Sequence, residues 1–396
     1  MIAESARPTL ASDQEAEARK LTVDDLSRQH RDVFTRALFN VSFTPASETT
    51  FAQIIDGAPL SQSVVNIRSG VYPSTHPIYD QHPELCPGVL DQARQRRSTF
   101  DPKDLEFNAR LFHKYQAASI GSRAFKTCLI EMVAIAIHQI AVDLYKLDLD
   151  LGNHKDLATW VAPTSLKGFH KRYPTGQLPT LFMHKSYRDF EQYPNGVADI
   201  VGYWAEAQIF GGVVLFDRRK PSDLAPYEDP DAVFFHSNHK DATYRIWQLL
   251  DTQKKELLEF LLSDLDPDRN RGMPCPLPIF LDQKNLTRID PEEPISETGV
   301  YRDIWERKPL GDDDADPRSH CCSFNTLDYT SREDYSRSRQ RCWERRVAID
   351  EKWEAEADAE IEEEARAAAA GQQQQQQEEE DGDGKLARPC KRKSLR

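Results

Sequence analysis

Residues 124–147, AFKTCLIEMVAIAIHQIAVDLYKL, are apolar on nearly every side. A helix of that composition belongs at the centre of a domain, because each of its faces needs cover from other elements. At about 1.5 Å per residue it would span roughly 36 Å. Glu131 and His138 interrupt it. They lie seven apart, on one face two turns apart, and keep the uninterrupted apolar run short of the roughly 18 residues that cross a bilayer. The sequence therefore predicts no membrane span. It predicts that the two polar groups bond to neighbouring loops or lie at the helix edge, with acid–base or metal chemistry as the sharper alternative.

Around this helix the chain divides by composition. Residues 1–20 lack an apolar segment and read as a disordered arm. LTVDDLSRQHRDVFTRALFN has helical spacing, with Leu26, Val33, Ala37 and Leu38 on one face. VNIRSGVYPSTHPIYDQHPELCPG, rich in proline and glycine, reads as an irregular loop. Residues 101–148 predict a helical hairpin: Asp101-Pro102 starts the first helix, Gly121 breaks it and Ser122 caps the second.

Further on, TLFMH, VADIVGYWAEAQIF, VVLFDR and DAVFFHS read as strands. Gly211-Gly212 separates two of them and predicts a tight hairpin turn. A phosphate loop would need a helix after the glycines, and VVLFDRRKP has no helical period. TYRIWQLLDTQKKELLEFLLSD predicts an amphipathic helix. The expected fold class is α+β: a helical hairpin packed on a small antiparallel sheet of three to five strands, in a main domain over 21–310. An acidic loop (311–330) follows, then a charged helix (331–370), best buried at Trp343, Val347, Ile349 and Trp353. A disordered tail (371–396) with six consecutive glutamines ends the chain.

Charge narrows the function classes. The net charge of −14 repels phosphate backbones, which argues against nucleic-acid binding by the body of the protein. The basic end KLARPCKRKSLR, with Lys391, Arg392 and Lys393, has the composition of a nuclear import signal. The seven cysteines are odd in number, scattered and without a CxxC pair. That pattern suits thiols in a reducing compartment and argues against a zinc knuckle. A cytoplasmic or nuclear protein is expected.

Two constellations carry possible chemistry. His184 and His236 end predicted strands; if those strands are neighbours, the two imidazoles and Glu206 form a two-histidine, one-carboxylate metal set. Trp204, Glu206, Tyr244 and Arg245 are an aromatic and charged group that lines a ligand pocket or, as the more frequent outcome, belongs to the core. His320-Cys321-Cys322 is a vicinal thiol pair in an acidic loop. No GxSxG, GxGxxG or GK[ST] motif is present, and the sequence names no cofactor.

YPNGVADIVGYWAEAQIFGGVVLFDR, TYRIWQLLDTQ and VYRDIWERKP resemble a group of uncharacterised proteins of filamentous fungi, over roughly 180–310 and more loosely 30–150. The resemblance implies a fungal, soluble, lineage-restricted protein with a link to specialised metabolism, and it supplies no site residue. The leading expectation is an interaction or accessory protein that meets a protein partner through 331–396. The alternatives are a metal-dependent enzyme or small-molecule binder at the sheet end, and a nuclear regulatory protein.

Overall fold

The computed structural model describes residues 19–68, 70–147, 154–264, 275–314, 316–320 and 323–383, with the backbone alone for 372–383. Two compact units emerge from it. The first comprises the chain to Pro309 together with Asn325–Thr330; the second comprises Leu310–Phe324 and the residues from Ser331 onward.

The first unit is α+β. Its helices are α1 (Arg28–Ser42), α2 (Pro45–Asp56), α3 (Ser61–Val65), α4 (Val89–Thr99), α5 (Ala109–Ala117), α6 (Arg123–Lys146), α7 (Lys155–Ala158), α8 (Lys167–Arg172), α9 (Val197–Phe210), α10 (Asp251–Leu262) and α11 (Ile295–Thr298). A two-stranded sheet pairs β1 (Lys20–Thr22) with β2 (Glu106–Asn108). A five-stranded antiparallel sheet has the order β6-β5-β4-β3-β7, built from β3 (Val213–Asp217), β4 (Val233–His236), β5 (Ile246–Gln248), β6 (Arg288–Ile289) and β7 (Val300–Tyr301).

The apolar helix is α6, buried along most of its length. By length and composition it could cross a membrane, but 78% of its most apolar 18-residue window is buried inside the protein. It packs against α1, α2, α5, α9 and β3. The side chain of Ser122 caps it by accepting the Phe125 N–H at 3.2 Å. The partner helix of the hairpin starts at Ala109, later than expected. Asn108 caps it at 2.8 Å, while Asp101 caps only the short 3-10 turn Pro102–Asp104.

Three strand and helix assignments differ from the sequence reading. VADIVGYWAEAQIF is helix α9, not strand. Because α9 is buried almost all round, its apolar residues show no 3.6 period, and β-branched and aromatic content suggested a strand instead. TLFMH forms no strand; His184 makes only an isolated bridge to Tyr187. IWQ, expected within a helix, is β5, and α10 begins only at Asp251.

The double glycine is a helix-to-strand junction, neither a hairpin nor a phosphate loop. Gly211 ends α9 with φ +100°, a conformation that glycine adopts without penalty. The Ile279 carbonyl occupies the space where a Cβ on Gly211 would stand. A Cβ on Gly212 would lie 3.1 Å from the His236 backbone, so both glycines allow close chain approach. Strands β3 and β4 do pair, Val214 opposite Phe235, through the long connection 218–232.

The second unit contains α12 (Arg332–Asp383), which runs on through the glutamine stretch that the sequence reading assigned to a disordered tail. Ile349 is buried as expected and Val347 half-buried, but Trp343 is 60% and Trp353 38% exposed; Ile361 further along is 64% exposed. Arg318 is buried and paired with Asp316 at 2.8 Å. Residues 1–18, Cys321, Cys322 and the basic end with Lys391, Arg392 and Lys393 lie outside the described residues.

Candidate metal centre

The expected set of His184, His236 and Glu206 does not form. The two imidazoles do come together, with ring centroids 5.3 Å apart, but all their nitrogens have other partners. His184 donates from Nε2 to the His236 carbonyl at 3.1 Å, and its Nδ1 accepts the Ser186 N–H at 3.1 Å. His236 donates from Nε2 to the Tyr244 carbonyl at 3.0 Å, and its Nδ1 accepts from the Tyr187 hydroxyl at 3.1 Å. No lone pair remains for a metal. Burial holds both imidazoles neutral, His184 down to about 3 and His236 well below the ordinary range. They tie β4 to the 184–187 segment.

Glu206 faces elsewhere. It belongs to a buried charge network between α6 and α9, in which His138 lies between Glu206 Oε1 (2.8 Å) and Asp199 Oδ1 (3.0 Å). Arg302 reaches Glu206 Oε2 at 2.6 Å and stacks over Tyr203. The i,i+7 spacing of Asp199 and Glu206 on α9 presents both carboxylates to one imidazole. Burial opposes the His138 charge, but the hydrogen bonds it donates to Asp199 and Glu206 outweigh it and lift the group to about 9. His138 and Arg302 thus face three carboxylates, Asp199, Glu206 and Asp303, the last reached by Arg302 Nε at 3.0 Å. Glu131, one face-repeat away on α6, holds Arg218 bidentately at 2.6 and 3.2 Å. Glu131 therefore bonds to a loop residue, Arg218, as expected, whereas His138 bonds to two carboxylates of helix α9.

Tyr244 and Arg245 meet at Tyr329, while Trp204 packs elsewhere, against Phe182. Trp204 lies 4.8 Å from Phe182 in the core. Tyr244 meets the Tyr329 hydroxyl at 3.3 Å. Arg245 pairs with Asp290 at 2.5 Å and lies over the Tyr329 ring.

A different set has ligand geometry. Among the described residues, Asp56, His82 and His154 place one ligand atom each within 4.8 Å of the others. Asp56 is the last residue of α2, held at the helix end by Gly57, whose φ of +90° closes the cap. His82 is fixed by α3: Ser61 N–H donates to the His82 carbonyl at 2.7 Å, and His82 N–H to Ser61 Oγ at 3.1 Å. His154 starts α7.

The side-chain bonds of His82 decide its role. Its Nδ1–H donates to the Pro59 carbonyl at 2.9 Å, which turns Nε2 toward Asp56 Oδ2 at 3.1 Å. His154 Nε2 reaches Asp56 Oδ1 at 3.3 Å. A backbone carbonyl on the far nitrogen is the arrangement that orients metal-binding imidazoles. A neutral His154 can donate from Nε2 to Asp56, but His82, with its Nδ1–H on Pro59, meets the carboxylate through Nε2 only with a further cation, a proton or a metal ion. With the proton, burial disfavours the His82 charge, yet the Asp56 hydrogen bond lifts it above the ordinary range. Burial would raise Asp56, but His82 and the Cys86 N–H bring it down to about 2. Burial and the charge of His82 lower His154.

The sequence reading did not assemble these residues. Asp56, His82 and His154 come from three segments and lack the short spacing of a CxxC-like motif. The available signal was HPELC, which places His82 and Cys86 four apart in a proline-flanked loop.

No family model, curated protein or solved structure matches this chain. Its chemistry is read from its own residues.

Proposed function

We propose that the protein is a divalent-metal-binding accessory protein of the cell interior, with Asp56, His82 and His154 as the ligand set. The observation that carries this reading is the fixed His82 imidazole: Pro59 holds Nδ1 and leaves Nε2 facing the carboxylate that His154 also faces. Imidazole and carboxylate donors suit zinc, iron and related first-row ions. The ligands come from the end of α2, the 77–88 loop and the start of α7, so an ion here fastens three segments of one unit together. Metal binding should then appear as folding stability. At a free metal concentration 100 times the dissociation constant, the gain is about 2.7 kcal/mol. Thermal unfolding of chelator-stripped protein should rise on adding zinc, and the rise should vanish in His154→Gln. An equal rise in that variant would sink the proposal.

A protein partner at 331–396 is supported by one observation, the exposure of Trp343 and Ile361 on α12. Truncation after Thr330 should abolish partner recovery from extract; unchanged recovery contradicts it.

A further inference from the structure

We infer that Cys86 Sγ is the fourth ligand of the Asp56–His82–His154 centre, which makes it a closed, sulfur-containing site of the zinc type. This rests on the metal-binding reading above and says what that reading leaves open: whether the fourth position belongs to the protein or to a water and substrate.

The geometry carries the inference. The Cys86 backbone N–H donates to Asp56 Oδ2 at 2.9 Å, so its Cα is tethered to the carboxylate. Its Sγ lies 3.6 Å from His154 Nε2. In a tetrahedral site with bonds of about 2.0–2.1 Å to nitrogen or oxygen and about 2.3 Å to sulfur, ligand atoms stand about 3.4 Å apart, or about 3.6 Å where one is sulfur. His82 Nε2 stands 3.1 Å from Asp56 Oδ2, His154 Nε2 3.3 Å from the other oxygen, Oδ1, and Cys86 Sγ 3.6 Å from His154 Nε2; taking one Asp56 oxygen, the three ligand atoms lie within 4.8 Å of one another. Cys86 Sγ stands outside the mutual 4.8 Å set, on the side of His154. Rotation about the Cys86 Cα–Cβ bond moves the sulfur while the backbone tether stays in place.

The step balances simply. The Cys86 S–H bond breaks, its proton and that on His82 Nε2 pass to solvent, the neutral His154 keeps its one ring proton on Nδ1, and lone pairs of the sulfur and of both Nε2 atoms form the bonds to the divalent ion. No oxidant or reductant takes part. Donors Asp, His, His and Cys then carry two negative charges against the two positive charges of the ion, so the buried centre is neutral. Four protein ligands leave no position open for a substrate, which separates a structural ion from a catalytic one.

Cobalt(II) is the probe. The full-length protein, stripped with a chelator, is titrated with cobalt(II) and its absorption spectrum recorded. The wild type should bind one equivalent in a tetrahedral site and show the near-ultraviolet thiolate-to-cobalt charge-transfer band. Cys86→Ser should still bind cobalt, without that band and at least about tenfold more weakly. Cobalt bound by the wild type without the band, or a band that survives in Cys86→Ser, overturns the inference while leaving the three-ligand centre intact. No cobalt binding by the wild type overturns the metal-binding reading with it.

Discussion

Gly202 lies on α9 against the His138 ring; an added Cβ would stand 2.5 Å from its Cε1 and Nε2. The ring is held on both sides by carboxylates and cannot retreat without breaking a hydrogen bond. Gly202→Ala should therefore destabilise the fold by about 1–3 kcal/mol despite the better helix propensity of alanine. Denaturant unfolding measures this, and an unchanged midpoint contradicts it. His138 offers a second test. Asp199, Glu206, Arg302 and Tyr203 surround it, and its folded-state value of about 9 stands above the ordinary histidine value. The stability it contributes is fully present below about pH 6.5 and is lost as pH rises through about 9, an effect on the order of 3 kcal/mol. An NMR titration should place the His138 midpoint well above 6.5; a midpoint at or below that value contradicts the charged form. In the sequence Glu131 and His138 were visible as an i,i+7 pair, because charges in an apolar helix stand out. Their partners were not visible, since Asp199, Glu206 and Arg218 are far along the chain and Asp199 and Glu206 sit in a segment that lacks helical period.

At the scale of elements, the α9–β3 junction depends on Gly211. Gly211→Ala meets both a left-handed backbone and the Ile279 carbonyl, so it should destabilise more than Gly202→Ala, where the backbone is ordinary helix. A smaller shift in the unfolding midpoint than that of Gly202→Ala argues against the junction described. The His184–His236 clamp on β4 sets an acid limit. Both groups are held neutral in the fold and titrate near 6.5 when unfolded, so their contribution is present above that pH and lost as pH falls through about 3. Unfolding midpoints should drop between pH 7 and 4, and a flat profile contradicts the neutral pair. The strands VVLFD and VFFH were legible because β-branched and aromatic runs bury both faces of a short strand. The helix α9 was not, because a helix covered on every side shows the same continuous apolar run. Hairpin and long helix were legible from Ser122, Gly121 and a change of period.

At the scale of the molecule, the principal core cluster draws on residues from Val23 to Val300, all in the first unit. The α+β class, the helical hairpin with a small antiparallel sheet, and the long charged C-terminal helix agree with the sequence expectation. The Asp56–His82–His154 cluster was not legible, because topology rather than spacing assembles it. Asp56, the 77–88 loop and His154 meet only once α2, α3 and α7 are in place.

The most direct test of the central claim is elemental mass spectrometry of the purified full-length protein beside His82→Gln, His154→Gln and the exposed control His113→Ala. The account predicts about one equivalent of a divalent metal in the wild type and in His113→Ala, with loss in the other two variants. Metal retained in both His82→Gln and His154→Gln, or none in wild-type protein reconstituted with zinc, would contradict it.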